Sequence, residues 1–154
     1  MRPSPDELEE YPGYFIRRLQ QIAVAAFMSE TQAWGITPVQ FGALSAVAAH
    51  PDIDQRTLAG MIRFDTSTIG SVLDRLEKRG LLARGSSATD RRVRLLRLTD
   101  DGHALLADVQ PAVRRAQERM LAPLPEAERA PFMRMLAVLT DRGGGDEDSR
   151  SEPT

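Results

Sequence analysis

Cysteine is absent from the 154 residues. Its absence excludes disulfides, thiolate zinc sites, cysteine nucleophiles and any switch that works by thiol oxidation. Histidine is nearly absent too: only His50 and His103 occur, far apart in sequence, so there is no His cluster from which to build a metal site. No apolar run reaches the roughly 18 residues that a membrane-spanning helix needs, and the acidic start (Asp6, Glu7, Glu9, Glu10) is unlike a signal peptide. A cytoplasmic protein with no membrane partner is expected. The sequence also lacks a glycine-rich phosphate loop and a nucleophile–base pair. Glu126 and Glu128 form a pair of acids, but they fall in the first turns of a helix, where the helix dipole accounts for them. Neither an enzyme nor a cofactor is expected.

What remains is the composition of an ordinary globular chain, 42% hydrophobic and 27% charged, of a length that suits one domain. Its net charge of −2 is unevenly spread. Residues 1–53 carry three Arg against six acids, residues 54–98 carry ten basic side chains against five acids, and residues 99–154 carry seven against eleven. A basic middle between acidic flanks suits a polyanionic partner. Within it, "GSSATDRRVRLLRLT" (85–99) concentrates Arg91, Arg92, Arg94 and Arg97.

Apolar spacing predicts most of the elements. Phe15, Ile16, Leu19, Ile22, Ala23, Ala26 and Phe27 trace an amphipathic helix that stops near Trp34-Gly35. Thr37 and Pro38 suit the cap and first position of a second helix, with Phe41, Leu44, Ser45 and Ala48 on one face. "PDID" breaks that helix, leaving His50 at its end. Asp54 caps a third helix (54–62), and Asp65 or Thr66 a fourth (65–82) with Ile69, Val72, Leu73 and Leu76 as its buried stripe. Gly80 suits the left-handed position beyond it. The period then shortens: "LLARG" and "VRLLRL" around a polar loop predict a β-hairpin. Thr99 caps a long helix that Pro111 is expected to kink, with His103 in its first turn. A last helix carries Phe132, Met135, Leu136 and Leu139, and the tail "GGGDEDSRSEPT" has nothing to bury.

This order is that of a winged helix-turn-helix, since only "RFD" separates the third and fourth helices. With its apolar stripe buried, the fourth helix presents Ser67, Thr68, Ser71 and Arg75. Small hydroxyls allow close approach to base edges, and Arg75 can reach a phosphate or a guanine. Arg92 at the hairpin tip suits a minor groove, with Asp90 orienting its guanidinium or tying down the tip. Arg56, Arg84, Arg91, Arg94 and Arg97 are phosphate candidates, some of which must instead face solvent or acidic neighbours.

Residues 90–102, D-R-R-V-R-L-L-R-L-T-D-D-G, resemble the wing signature of the MarR family, D-x-R-x5-L-T-x-x-G, matched at Asp90, Arg92, Leu98, Thr99 and Gly102. "TPVQFGALSAVA", "TLAGMI", "STIGSVLDRLEKRGLLAR" and "LTDDG" are similar to that family in order and spacing, over roughly residues 12–142. One departure is Pro131, early in the last helix where relatives tend to have a helix former. The resemblance implies a mainly α fold with a small β-hairpin wing (α+β), a winged helix-turn-helix flanked by N- and C-terminal dimerisation helices. The corresponding segments are 1–35 (N-terminal dimerisation helix), 36–99 (DNA-binding region), 100–142 (C-terminal dimerisation helices) and 143–154 (disordered tail). It also implies an obligate homodimer, which the apolar stripes of the first and last helices favour independently. Two recognition helices about 34 Å apart would meet a pseudo-palindromic operator on double-stranded DNA.

Such regulators usually release DNA when a small molecule, often an aromatic acid, binds between the dimer helices and the winged domain. Tyr14, Phe15, Arg17 and Arg18 would wall that pocket, a guanidinium forking onto the carboxylate while rings cover the apolar face. Trp34, Phe41, Phe64 and Asp65 would complete it. The expected function is therefore a repressor released by an aromatic carboxylate. The competing reading is a winged-helix interaction module whose basic hairpin meets an acidic protein.

Overall fold

Three helices begin by the same device, a side-chain oxygen accepting a backbone N–H that the helix leaves unpaired. Thr37 Oγ1 accepts from Gln40 N, and Gln40 Oε1 accepts in return from Thr37 N, completing a capping box. Asp54 accepts from the backbone and hydroxyl of Thr57, which holds its carboxyl below the usual range. Thr99 Oγ1 accepts from Gly102 N at 3.0 Å and donates to the Gly80 carbonyl at 2.6 Å.

The computed structural model describes residues 5–63 and 66–141. Along the chain run α1 (Pro5–Leu8), α2 (Pro12–Glu30), a 3-10 turn (Gln32–Trp34), α3 (Pro38–Ala49), β1 (Ile53–Asp54), α4 (Gln55–Met61), α5 (Thr66–Lys78), β2 (Leu82–Ser86), β3 (Arg94–Leu98), α6 (Asp100–Leu121) and α7 (Glu126–Asp141). The fold is thus mainly helical with a small sheet. Phe64 and Asp65, and the tail expected from 143 onward, lie outside the described residues.

The sheet differs from the expected hairpin by one strand. β1 joins the outer side of β3, giving the antiparallel order β1-β3-β2 with Ile53 opposite Leu96 and Leu82 opposite Leu98. "PDID" does end α3, but its last two residues then pair. Asp52 turns the chain into β1 at φ 65°, an uncommon conformation for a side chain other than glycine. Both of its carboxylate oxygens accept from Arg97 of β3 at 2.7 Å, which holds that carboxyl below its usual value.

One core is shared by all these elements. Leu44 and Val47 of α3, Leu58 of α4, Ile69, Leu73 and Leu76 of α5, Leu82 of β2, Leu96 of β3 and Val109 of α6 are almost wholly buried. Each such aliphatic side chain contributes about 1.5–3 kcal/mol over leaving it in water. α3 turns a face one residue away from the expected one: Gln40, Ala43, Leu44 and Val47 are buried, while Phe41, Ser45 and Ala48 are half-buried. That helix is apolar nearly all round, so periodicity orients it poorly.

α2 packs along α6, where small residues (Ala112, Ala116) let Ala26 and Phe27 approach. Glu30 clamps the pair, accepting from Arg115 at 3.1 Å and from Arg119 at 3.2 Å. Those hydrogen bonds, Arg115 first, hold its carboxyl below the ordinary 4.5. A carboxyl whose folded value is depressed stabilises the fold above its unfolded value, and that contribution fades as pH falls through the folded one. Glu30→Gln is therefore expected to lower Tm at pH 7 by a deficit that shrinks towards pH 3, in melts run across that range. An equal deficit at both pH values would deny the ion pair its role.

α6 runs unbroken through Pro111, where the sequence predicts a kink. Pro111 and Ala107 are both exposed, so the carbonyl that loses its i+4 donor can meet water. Two ties hold the end of α5. Gly80 takes the left-handed position at φ 73°. Next to it, Arg79 donates from Nη1 to the Gly35 carbonyl at 3.0 Å and from Nη2 to the Trp34 carbonyl at 2.8 Å. α7 buries none of its residues: Met133, Met135, Val138 and Leu139 are exposed, as are Tyr11, Phe15 and Ile16 on the other flank.

A candidate nucleic-acid interface

Because Ile69, Leu73 and Leu76 are drawn into the core, the opposite side of α5 must face outward. Ser67, Thr68, Ser71 and Arg75 are exposed there, and with the cap residue Thr37 and Val39 and Gln40 of α3 they line an open groove of about 510 Å³. The hydroxyls occupy the first turns of α5 and the arginine a later one, so the short side chains lie where a duplex could approach closest.

A second cleft, of about 610 Å³, lies between α4 and the wing. Arg56, Gln55 and Thr57 line one side, Arg92, Val93 and Arg94 the other. Arg56, Arg75, Arg91, Arg92 and Arg94 are exposed, and none of their guanidinium groups has an ion-pair or hydrogen-bond partner among the described residues.

The loop between β2 and β3 has its own hydrogen bonds. Thr89 N donates to Ser87 Oγ, Ser87 N to the Val93 carbonyl, and Val93 N to the Asp90 carbonyl. Asp90 Oδ1 accepts from the backbone N–H of Arg92 at 3.0 Å, an Asx turn. Of the two roles expected for Asp90, orienting the Arg92 guanidinium or tying down the tip, the contact present is with the backbone of the tip, and among the described residues nothing bonds that guanidinium.

Two of the phosphate candidates face acidic neighbours, as some were expected to. Arg97 is committed to Asp52. Arg84, expected at the DNA surface, turns inward onto α5, where Asp74 takes its Nη2 at 2.9 Å. Neither partner was legible locally, because Asp52 and Asp74 are distant in sequence from the arginines they bind.

Of the expected effector residues, the described ones (Tyr14, Phe15, Arg17, Arg18, Trp34 and Phe41) line neither cleft. Tyr14 and Phe15 meet edge to face, ring centroids 5.5 Å apart, beside exposed Arg17 and Arg18; Arg18 reaches Gln21 at 3.5 Å. Trp34 and Phe41 pack against the core instead, Phe41 on Phe27 at 5.9 Å. Arg18 and Phe27 stand nine positions apart on α2, about 14 Å of helix. No group of His, Cys, Asp or Glu among the described residues could hold a metal, and none of the described helices is long and apolar enough to cross a membrane.

A sequence model of the MarR family matches residues 34–93. The chain is 36% identical over 128 residues to a protein of Thauera aromatica assigned to transcriptional regulation of the hcr operon, covering 82% of this chain and 77% of the relative. Among solved structures it resembles the transcriptional repressor CouR bound to a 23-mer DNA duplex: TM-score 0.84, 32% identity, 91% of this chain and 99% of that one. It also resembles BpsR of Bordetella bronchiseptica, whose DNA binding is regulated by 6-hydroxynicotinic acid: TM-score 0.81, 30% identity, 86% and 94% covered.

Proposed function

Because the chain belongs to the MarR family of transcriptional regulators, we propose that it is a homodimeric repressor that binds a pseudo-palindromic operator and is released by a small aromatic carboxylate. One observation carries the reading: the outward hydroxyls and Arg75 of α5 share the surface with a wing whose Arg91, Arg92 and Arg94 guanidinium groups have no partner among the described residues. α5 is then the recognition helix in the major groove, Arg92 enters the flanking minor groove, and Arg56, Arg91 and Arg94 neutralise phosphates.

Dimerisation is supported by the apolar side chains that α2 and α7 leave in water, Phe15, Ile16, Met135 and Leu139 among them. Pairing these faces across a two-fold axis removes them from solvent and duplicates the recognition helix. The effector reading is supported by 6-hydroxynicotinic acid acting on BpsR and by Arg17 and Arg18 beside the Tyr14–Phe15 pair. A guanidinium would grip the carboxylate and the rings would cover its apolar face.

Fluorescence anisotropy on a duplex selected from a random pool by the full-length protein tests the proposal. Binding is expected from a species that sediments as two chains, to fall steeply with salt, and to exceed binding to a scrambled duplex by at least about a thousandfold. Equal affinity for both duplexes would end the repressor reading. Added 6-hydroxynicotinate should raise Tm and release the selected duplex. If that acid and benzoate both leave the complex intact, the carboxylate part falls alone.

A further inference from the structure

Arg84 differs from the arginines around it. It sits on β2 opposite the buried Leu96, its side chain only 17% exposed. Nη2 donates to Asp74 Oδ1 at 2.9 Å and to the Gly70 carbonyl at 3.3 Å. Nε lies 3.9 Å from Glu77 Oε2, and it is buried without a hydrogen-bond partner. Gly70, Asp74 and Glu77 stand four and three residues apart, so they form one row along α5. That row runs between the core stripe (Ile69, Leu73, Leu76) and the outward stripe (Ser67, Ser71, Arg75). A single guanidinium therefore grips two turns of the helix from the strand that leads to the wing tip.

We infer that Arg84 is a positioning residue that fixes the angle and distance between α5 and the wing, letting Ser67 and Ser71 reach one groove while Arg92 reaches the next. The inference rests on the DNA-binding reading above and goes beyond it, because Arg84 touches no DNA in this role. Nη2 is already taken by a carboxylate and a carbonyl, and Nε is buried, so the side chain is held against α5. A lysine is a poor replacement: its ammonium sits on a flexible stem and lacks the rigid plane that sets Nη2 between Asp74 and Gly70 while Nε faces Glu77. Asp74 matters as much as Arg84, although it is an anion on a surface that should attract another anion.

That conflict supplies the test. Simple Coulomb reasoning says that removing the Asp74 charge tightens DNA binding. A positioning role says the opposite. Asp74→Ala, Arg84→Lys and the double variant are compared with the parent chain by anisotropy, on the selected duplex and on a scrambled duplex of equal length. Asp74→Ala is expected to weaken binding to the selected duplex about tenfold while binding to the scrambled duplex stays the same or tightens. Arg84→Lys should do likewise with its charge intact, and the double variant should be no worse than either single one, because both break the same contact. The Asp74 side chain is 60% exposed but its partner only 17%, so melts accompany the titrations, and lost discrimination at a temperature where each variant is fully folded reports on DNA alone. Tighter binding of Asp74→Ala to both duplexes, or full discrimination by Arg84→Lys, would overturn the inference. The parent chain reports on the DNA-binding reading separately: if it cannot tell the two duplexes apart, that reading fails whatever the variants do.

Discussion

Gly102→Ala is expected to destabilise the fold by about 3 kcal/mol, at the upper end of the usual overpacking cost. For a chain of this length that is a Tm drop of roughly 6–12 °C. Gly102 is buried in the first turn of α6, and a Cβ there would fall inside the van der Waals surface of the Leu81 carbonyl oxygen. That carbonyl cannot retreat cheaply, because it accepts from Thr99 N at 3.1 Å where β2 meets β3. Thr99 in turn caps α6 on the Gly102 N–H and donates to Gly80. The methyl group therefore costs either the cap or the start of the sheet. Thermal melts at matched protein concentration would measure it; a Tm within 2 °C of the parent, roughly the shift that corresponds to 1 kcal/mol or less, would show that the junction can relax.

The second large effect is on DNA. Arg92→Ala is expected to weaken the selected duplex by about 1–3 kcal/mol, or roughly 5- to 150-fold, with Tm unchanged. The Asx turn that shapes the tip uses the backbone N–H of residue 92, so it survives the substitution and only the probing group is lost. The groove role adds a signature. A narrow A·T-rich minor groove concentrates negative potential, so replacing flanking A·T pairs with G·C should weaken the parent chain more than the variant. Arg91→Ala and Arg94→Ala should instead weaken all duplexes alike and reduce the salt slope by about one ion each. Undiminished affinity for Arg92→Ala would remove it from the groove.

Local chemistry made much of this fold legible. The caps at Thr37, Asp54 and Thr99, the Ile69–Leu76 stripe, the left-handed Gly80 and the two longer strands each follow from residues within a few positions of one another. Less was legible wherever the answer lay far along the chain. β1 is two residues long and exists only because β3 offers Leu95 and Leu96 as partners. Arg84 and Arg97 resemble Arg91 and Arg94 in sequence, and only the fold brings Asp74 and Asp52 to the first pair. α3 has too little polarity contrast to show which side it buries. At the candidate site, the outward row of α5 and the exposed wing arginines follow from helix period and hairpin order. The role of Asp90 turned on whether its carboxylate met a guanidinium or an amide, and sequence spacing permits both.

The Arg79 hydrogen bonds to Trp34 and Gly35 have a mechanical consequence. They fasten the trailing end of α5 to the corner between α2 and α3, while the small hydroxyls lie at its leading end. Thirteen residues of helix make a rigid arm about 20 Å long. Tilting that arm by about 5° at its fastened end would swing Ser67 through roughly 1.7 Å, more than half the length of a hydrogen bond. The corner is thus a fulcrum, at which a shift too small to disturb the core would break register with a base edge.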